Sequence, residues 1–247
     1  MIRRLSAAGA ALTDAELIQA YQVEDRSTPY LRANMVASID GAVEVSGLSG
    51  ALSSPDDQEV FRRLRMLTDV VLVGAGTVRA EGYSGLRLAK ARQQWRREHG
   101  LPDNPRLAVV TSRLDLDPGS PAMAESAVRP LVLTHAAAPA DRLEAVSQVA
   151  DVVICGQEAV DALAVKAQLV ALEMPQILCE GGPLLLGALT AADLVDELCL
   201  SVSPLLAGPG AGRITAGPLT PGLRRLVPHQ VLAGDDGTLL IRYVRDA

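Results

Sequence analysis

The chain has 247 residues, and 23 Lys and Arg against 29 Asp and Glu give a formal net charge of −6. Hydrophobic residues make up 49% and charged residues 21%, which is typical of a folded globular protein, but aromatic residues make up only 2%, so aromatic surfaces for base stacking are not expected. Net acidity argues against nonspecific binding to nucleic acid or to an anionic membrane, and the expected partner is a small ligand.

Cysteine and histidine usage argues against two further classes of site. Cys155, Cys179 and Cys199 lie in apolar stretches, so we expect reduced thiols in the core rather than disulfides. The three histidines are dispersed without the spacing of metal ligands, and no metal site is expected. We find no apolar segment typical of a signal peptide or a membrane span, so the chain is expected to be cytoplasmic.

In chain order, residues 1–29 are expected to form an N-terminal appendage, with a short helix at 14–22 and a polar linker. Residues 30–247 are expected to form a single domain in which strands and helices alternate. Strands are predicted at residues 30–38, 69–73, 107–111, 130–134, 151–155 and 176–180. Helices are predicted between them, at residues 55–67, 141–149 and 158–172.

The predicted strands are rich in Val, Ile and Leu and apolar on both faces, which is typical of a parallel sheet covered by helices. Three further strands, at residues 196–206, 228–233 and 239–244, follow one another with no helix between them. A turn of glycines and aspartates at residues 234–237 predicts a hairpin. The sequence therefore predicts an α/β fold with a mostly parallel central sheet and an antiparallel C-terminal hairpin at its edge.

Four segments at the ends of predicted strands carry residues that bind ligands in other proteins: 38–41, 74–79, 111–113 and 180–183. The glycines of 74–79 and the Gly181–Gly182 pair, which precedes Pro183, offer backbone N–H groups to phosphates. Ser112 and Arg113 are suited to the 2′-phosphate of NADP. An ordinary turn or a solvated loop explains each segment almost as well, so these patterns leave the function open when taken singly.

Several motifs occur together in the order and spacing of one family: residues 38–41, 53–55, 69–77, 180–183 and 194–198, with Arg65. From about Tyr30 onwards the chain resembles the reductase domain of the bacterial riboflavin-pathway deaminase-reductase. The resemblance implies a dihydrofolate-reductase-like three-layer fold and a homodimer. It also implies reduction of the ribosylamino group of 5-amino-6-(5-phosphoribosylamino)uracil by NADPH, with a hydride passing to C1′.

The resemblance, with the loop argument for Arg113, assigns roles to individual residues. The expected cofactor-binding residues are Val36, Thr77, Glu81, Ser112, Arg113, Gly181, Gly182, Pro183, Leu184, Leu185, Leu186 and Gly187. The expected substrate-binding residues are Asn34, Ser49, Arg65, Arg87 and Glu180, with the two arginines neutralising a sugar phosphate. The expected proton donor is Glu180, or Asp40 acting through a water.

Three positions depart from the family pattern. Asn34 stands where a Lys is common, Ala51 where a Trp is common, and Glu81-Gly82-Tyr83 where Asp-Asp-Pro is usual. The cofactor elements as a whole keep the family pattern better than the substrate elements do. Two alternatives therefore stay open: an NADPH-dependent reductase of another heterocycle, such as dihydrofolate, and a nucleotide-binding module without catalysis.

Overall fold

The computed structural model describes residues 10–218 and 222–246. The strands are β1 (Tyr30–Ser38), β2 (Val70–Gly74), β3 (Arg106–Val110), β4 (Leu131–Thr134), β5 (Asp151–Ile154), β6 (Gln176–Cys179), β7 (Glu197–Ser203), β8 (Leu226–Ala233) and β9 (Leu239–Arg245). The α-helices are α1 (Asp14–Tyr21), α2 (Pro55–Leu67), α3 (Ala75–Ala80), α4 (Lys90–Glu98), α5 (Pro121–Ala124), α6 (Ala140–Ser147), α7 (Ala162–Ala171) and α8 (Pro183–Ala191).

The nine strands form one sheet in the order β5-β4-β3-β2-β6-β1-β7-β9-β8. All neighbouring pairs from β5 to β7 are parallel, while β9 pairs antiparallel with both β7 and β8. The predicted α/β fold with an antiparallel C-terminal hairpin is therefore confirmed. Because β1, β2 and β6 lie side by side near the centre, the loops that follow these three strands meet at one edge of the sheet.

Helices cover both faces of the sheet, because the strand side chains alternate between two apolar clusters. On β2, Val71 and Val73 pack with α1 and α2, whereas Val70 and Leu72 pack with α7 and α8 on the opposite face. These two clusters produce the three-layer arrangement. No helix within residues 10–218 and 222–246 is long and apolar enough to cross a membrane.

Two element boundaries differ from the predictions by several residues. The predicted strand at 196–206 ends at Ser203, and the predicted helix at 158–172 begins only at Ala162. The second difference has a local cause: the carboxylate of Asp161 accepts a hydrogen bond from the backbone N–H of Leu163 at 2.8 Å and so starts the helix there. The three cysteines are buried and free.

Helix α1 belongs to the segment that the sequence predicts as an appendage, yet it packs on the domain. The Tyr21 side chain is 1% exposed and lies in the apolar cluster beneath α2. Arg32 donates to the backbone carbonyl of Tyr21 at 2.8 Å, and Arg242 donates to that of Ala20. Residues 10–29 are therefore joined to the sheet by packing and hydrogen bonds, while residues 1–9 of the expected appendage lie outside the described residues.

The same arginines surround a buried carboxylate. Glu197 is 0% exposed, with Arg32 Nε 2.6 Å from Oε1 and Arg242 Nη2 2.7 Å from Oε2. The Tyr30 hydroxyl also donates to Oε2 at 2.9 Å. Burial works against the charge, but the two guanidinium groups outweigh it and lower the pKa of Glu197 from 4.5 to about 2. This ion cluster joins β1, β7 and β9 to the C-terminal end of α1.

Replacing this carboxylate is expected to destabilise the fold. Glu197→Gln keeps the side-chain shape but leaves two buried guanidinium groups without a counter-charge, so urea unfolding should show a loss of about 3–5 kcal/mol. Asp103→Asn is the control, because it breaks the exposed pair with Arg97 (2.8 Å) and should cost about 0–1 kcal/mol. Equal small losses in the two variants would show that the buried cluster does not hold the strands together.

Candidate active site

A cavity of about 920 Å³ opens at the sheet edge where β1, β2 and β6 end. Its wall includes one stripe of helix α2, formed by Asp57, Phe61 and Arg65. These residues are four apart, so the 3.6-residue repeat of the helix brings them to one face. The volume lies at the upper end of the range for small-molecule sites, which leaves space for the reacting ends of two ligands.

Glu180 follows β6 directly and is held in place by two side chains. Arg65 forms a bidentate ion pair with its carboxylate, with Nε and Nη2 each 2.7 Å from an oxygen. Tyr83 donates its hydroxyl to Oε2 at 2.5 Å. The Glu180 side chain is only 2% exposed and the Arg65 side chain 21%, so water screens this pair little. Glu180 is therefore held as a hydrogen-bond acceptor in a fixed orientation.

The surroundings also fix the protonation of Tyr83. Burial and then the negative charge of Glu180 raise the pKa of the phenol well above its ordinary value, so the phenol keeps its proton. The Arg65 guanidinium lies 4.1 Å from the Phe61 ring centre and 5.5 Å from that of Tyr83. Two of the chain's few aromatic rings thus support one cation. These contacts hold Arg65 against the carboxylate, so its charge is compensated within the protein.

The Gly181–Gly182 turn lies beside this cluster. Its first peptide is cis, Gly181 has a φ of 86°, and the Gly181 carbonyl accepts from the backbone N–H of Gly74 at 2.8 Å. A Cβ on Gly182 would lie 2.5 Å from the Thr77 hydroxyl oxygen, so a larger residue does not fit. Helix α8 starts at Pro183 with no side-chain cap, which leaves N–H groups of its first turn available to an anion.

Four arginines line the cavity: Arg62, Arg65, Arg87 and Arg92. Glu59 pairs with Arg62 at 3.0 Å and with Arg92 at 2.9 Å. Arg87 has neither a hydrogen bond nor an ion pair among residues 10–218 and 222–246, and it is exposed to solvent. This wall is therefore rich in positive charge that the protein compensates only in part, which suits a phosphate.

Ser49 and Glu81 contact each other across the cavity mouth. The backbone N–H of Ser49 donates to Oε1 of Glu81 at 2.9 Å, and both residues line the cavity. The family resemblance places Ser49 near substrate and Glu81 near cofactor. The hydrogen bond links the two expected halves of the site.

Most expected site residues come together in this cavity. Those that line it are Asn34, Val36, Ser49, Arg65, Thr77, Glu81, Arg87, Glu180, Gly182, Pro183, Leu184 and Leu185. Gly181 lies in the turn itself, Leu186 is 2% exposed in the core, and Gly187 packs against the backbone of Ala216. Ser112 and Arg113 are exposed beyond the end of β3, next to β2 but outside the cavity.

Asp40, the other expected proton donor, is not among the residues that line the cavity. Its carboxylate accepts from the backbone N–H groups of Ala207 (3.2 Å) and Gly208 (2.8 Å) and from the hydroxyl of Ser38. The Ser38 hydroxyl bond, followed by these backbone bonds, lowers the pKa of Asp40 to about 2. This carboxyl group therefore holds the loop at residues 207–208, and its role as a proton donor stays a prediction.

Asp57 and Tyr83 are among the cavity residues that are absent from the expected set. A sequence signal existed for Asp57, because it precedes Arg65 by eight residues in a predicted helix and so shares its face. Tyr83 stands where the family has a proline, so the resemblance suggested no role for it. No group of three metal-ligand side chains lies close together in the part of the chain that the structure describes.

The model of the RibD C-terminal domain family matches residues 29–240. The chain belongs to this family. A relative from Archaeoglobus fulgidus, named 2,5-diamino-6-ribosylamino-4(3H)-pyrimidinone 5′-phosphate reductase, is 31% identical over 182 residues, or 73% of this chain and 82% of that protein. The riboflavin biosynthesis protein RibD of Mycobacterium tuberculosis is 28% identical over 190 residues, which cover 76% of this chain and 45% of that one.

Solved structures agree with this membership. A pyrimidine reductase-like protein from Corynebacterium diphtheriae superposes with a TM-score of 0.81 at 25% identity, covering 89% of this chain and 92% of the other. The Saccharomyces riboflavin biosynthesis reductase Rib7 has the same fold, with a TM-score of 0.66 at 17% identity and coverage of 92% and 97%. The predicted family is confirmed, the chain is an oxidoreductase of riboflavin biosynthesis, and the family implies a nicotinamide cofactor.

The Glu180 carboxylate is expected to matter for turnover rather than for cofactor binding. Glu180→Gln keeps the shape but replaces one acceptor oxygen with an NH2 group that faces Arg65 and Tyr83, so kcat should fall by about 100-fold. The dissociation constant of the reduced nicotinamide cofactor, measured by fluorescence titration, should change less than threefold. Asp103→Asn again serves as the control, with unchanged kcat. Full activity of Glu180→Gln would remove this carboxylate from the chemistry.

Proposed function

We propose that the cavity binds NADPH together with a 5′-phosphorylated ribosylaminopyrimidine and that the chain reduces the ribosylamino group to a ribitylamino group. The observation that carries this proposal is the arrangement of Glu180 between two different binding surfaces. On one side lies the Gly181–Gly182 turn, and on the other lies the arginine-rich wall that includes Arg87. A fixed carboxylate between a pyrophosphate-binding turn and a phosphate-binding wall is suited to bringing two phosphorylated molecules together.

The residues of the first half fit a dinucleotide. Gly182 packs so closely against the Thr77 hydroxyl that a side chain does not fit there, and the uncapped first turn of α8 presents backbone donors. Ser112 and Arg113 follow β3, the strand next to β2, on the same edge of the sheet. An arginine with a free guanidinium there would select the 2′-phosphate of NADPH. We assign the cofactor to this half on that fit.

The residues of the second half suit a sugar phosphate. Arg87 has no counter-charge in the part of the chain that the structure describes, so it is the guanidinium best placed to pair with a dianion, with Arg62 and Arg92 beside it sharing Glu59. Arg65 was expected to bind the phosphate directly, but its charge is already engaged by Glu180. Arg65 is therefore assigned to positioning Glu180, and Asn34 and Ser49 are assigned to the ligand on the opposite wall.

The proposed chemistry needs little from the protein beyond orientation. When bound, NADPH would supply the hydride for C1′ of the open-chain imine, whose nitrogen would take up a proton as the C1′=N bond becomes a single bond. Tyr83 keeps its proton and Glu180 acts as an acceptor, so these two orient the ligand, and the proton comes from water that enters the cavity. We also propose that the protein forms a homodimer, as the family resemblance implies.

A direct assay tests this function. Purified protein is mixed with NADPH and, separately, with the diaminopyrimidinone phosphate, the aminouracil phosphate and dihydrofolate, and loss of NADPH absorbance is followed. Oxidation is expected with at least one ribosylaminopyrimidine phosphate and not with dihydrofolate. Turnover of dihydrofolate alone, or of none of the three, would contradict the proposal.

The cofactor part of the assay has its own variant. NADPH should support turnover better than NADH, and Arg113→Ala should raise the KM for NADPH about tenfold while leaving that for NADH unchanged, because only NADPH carries the 2′-phosphate. Arg97→Ala, an arginine on α4 that pairs with Asp103, is the matched control. Equal effects of Arg113→Ala on both cofactors would reject the assignment.

A further inference from the structure

A second cavity, of about 180 Å³, lies at the opposite edge of the sheet, where β1 and β6 begin. The C-terminal end of α2 contributes Leu64 and Leu67 to its wall, and the segment that follows α1 contributes Gln22, Val23 and Arg26. In the part of the chain that the structure describes, it shares no lining residue with the active-site cavity. The second cavity is therefore a separate place for a ligand.

The rare aromatic side chains of this protein are concentrated at its cavities. The chain has one Trp, four Tyr and one Phe. Tyr21, Tyr30 and Trp95 line the second cavity, and His99 stacks on Trp95 there, with ring centres 3.8 Å apart and 17° between the planes. Aromatic walls favour flat ligands, because ring faces stack. The volume is below the roughly 300–1,000 Å³ of drug-sized sites, so the cavity suits one planar ring or two small fused rings.

Gln176 provides a buried polar group that lacks a partner. It begins β6, is only 4% exposed, and shares with Leu178 the face of the strand that α2 covers. Its Nε2 donates to the backbone carbonyls of Arg26 at 2.8 Å and Thr28 at 2.9 Å, which fixes the orientation of the amide. Its Oε1 accepts no hydrogen bond from residues 10–218 and 222–246. A buried acceptor without a donor is costly, so an N–H group of a ligand would be stabilised beside it.

The charged groups of the second cavity favour a neutral ligand. Among the described residues, no Asp or Glu lines it, whereas Arg26 and Arg32 do. Arg26 pairs with Asp69 and Arg32 with Glu197, so carboxylates outside the wall already compensate both positive charges. The indole N–H of Trp95 has no hydrogen-bond partner in the described ranges, and it can only donate. It therefore requires an acceptor, such as a carbonyl oxygen, from the ligand.

We propose that the second cavity is a binding site for a neutral, planar nitrogen heterocycle with a lactam edge, in which a ring N–H lies next to a carbonyl. The ring N–H donates to Oε1 of Gln176, the carbonyl accepts from the indole N–H of Trp95, and the ring packs against the aromatic side chains of the wall. This site does not depend on the proposed reaction, because the two cavities share no lining residue among those described.

The fluorescence of Trp95, the single Trp of the sequence, reports on this cavity directly. The purified protein is titrated with uracil, a planar ring with a lactam edge, and with 1,3-dimethyluracil, which keeps the ring but has no N–H. Uracil should quench the fluorescence with saturation, and dimethyluracil should bind at least about fivefold more weakly, because it leaves Oε1 of Gln176 without a donor. Equal dissociation constants, or no saturable quenching by uracil, would overturn the inference, and neither result needs a variant to fold.

Val23→Phe tests where uracil binds. The larger side chain fills space in the second cavity, so the dissociation constant of uracil should rise at least about tenfold. Val45→Phe is the matched control, because Val45 is 40% exposed and lines neither cavity, and its variant should bind uracil as the wild type does. Undiminished quenching in Val23→Phe that is folded by circular dichroism would place uracil elsewhere and overturn the inference. Reductase turnover is not measured here, so the proposed function stands or fails separately.

Discussion

The ion pair between Arg65 and Glu180 is the interaction on which the rest of the site depends. It ties the central strand β6 to helix α2 through two hydrogen bonds of 2.7 Å, and Tyr83 adds a third donor from the segment after α3. Because the pair is buried, moving either partner would leave a charge without compensation. The distance between sheet edge and helix is thereby set, and with it the width of the cavity.

The positions of the charged residues matter more for this site than the net charge does. The net charge is −6, yet arginines line one wall of the cavity and two more surround Glu197 in the core. Three buried carboxylates are stabilised in three different ways. Glu197 is neutralised by two cations, Glu180 by one cation and a phenol, and Asp57 by hydroxyls and a helix terminus.

Sequence reasoning predicted the fold well because the buried strands carry a direct signal. Runs of Val, Ile and Leu located all nine strands, and Ser54 with Pro55 located the start of α2. Sequence reasoning was weaker for residue roles that depend on tertiary contacts. That Arg65 is occupied by Glu180, and that Asp40 holds the 207–208 loop, depends on residues more than 100 positions apart. Tyr83 was missed because its neighbours in space, not in sequence, give it a role.

In the proposed reaction, this cavity directs a hydride from NADPH to the sugar carbon of a ribosylaminopyrimidine. NADPH carrying deuterium at both C4 positions, incubated with the protein and the diaminopyrimidinone ribosyl phosphate, tests this most directly when the product is analysed by NMR and mass spectrometry. We expect one deuterium per product molecule, at C1′ of the ribityl chain. A product without deuterium, or with deuterium on a ring carbon, would contradict it.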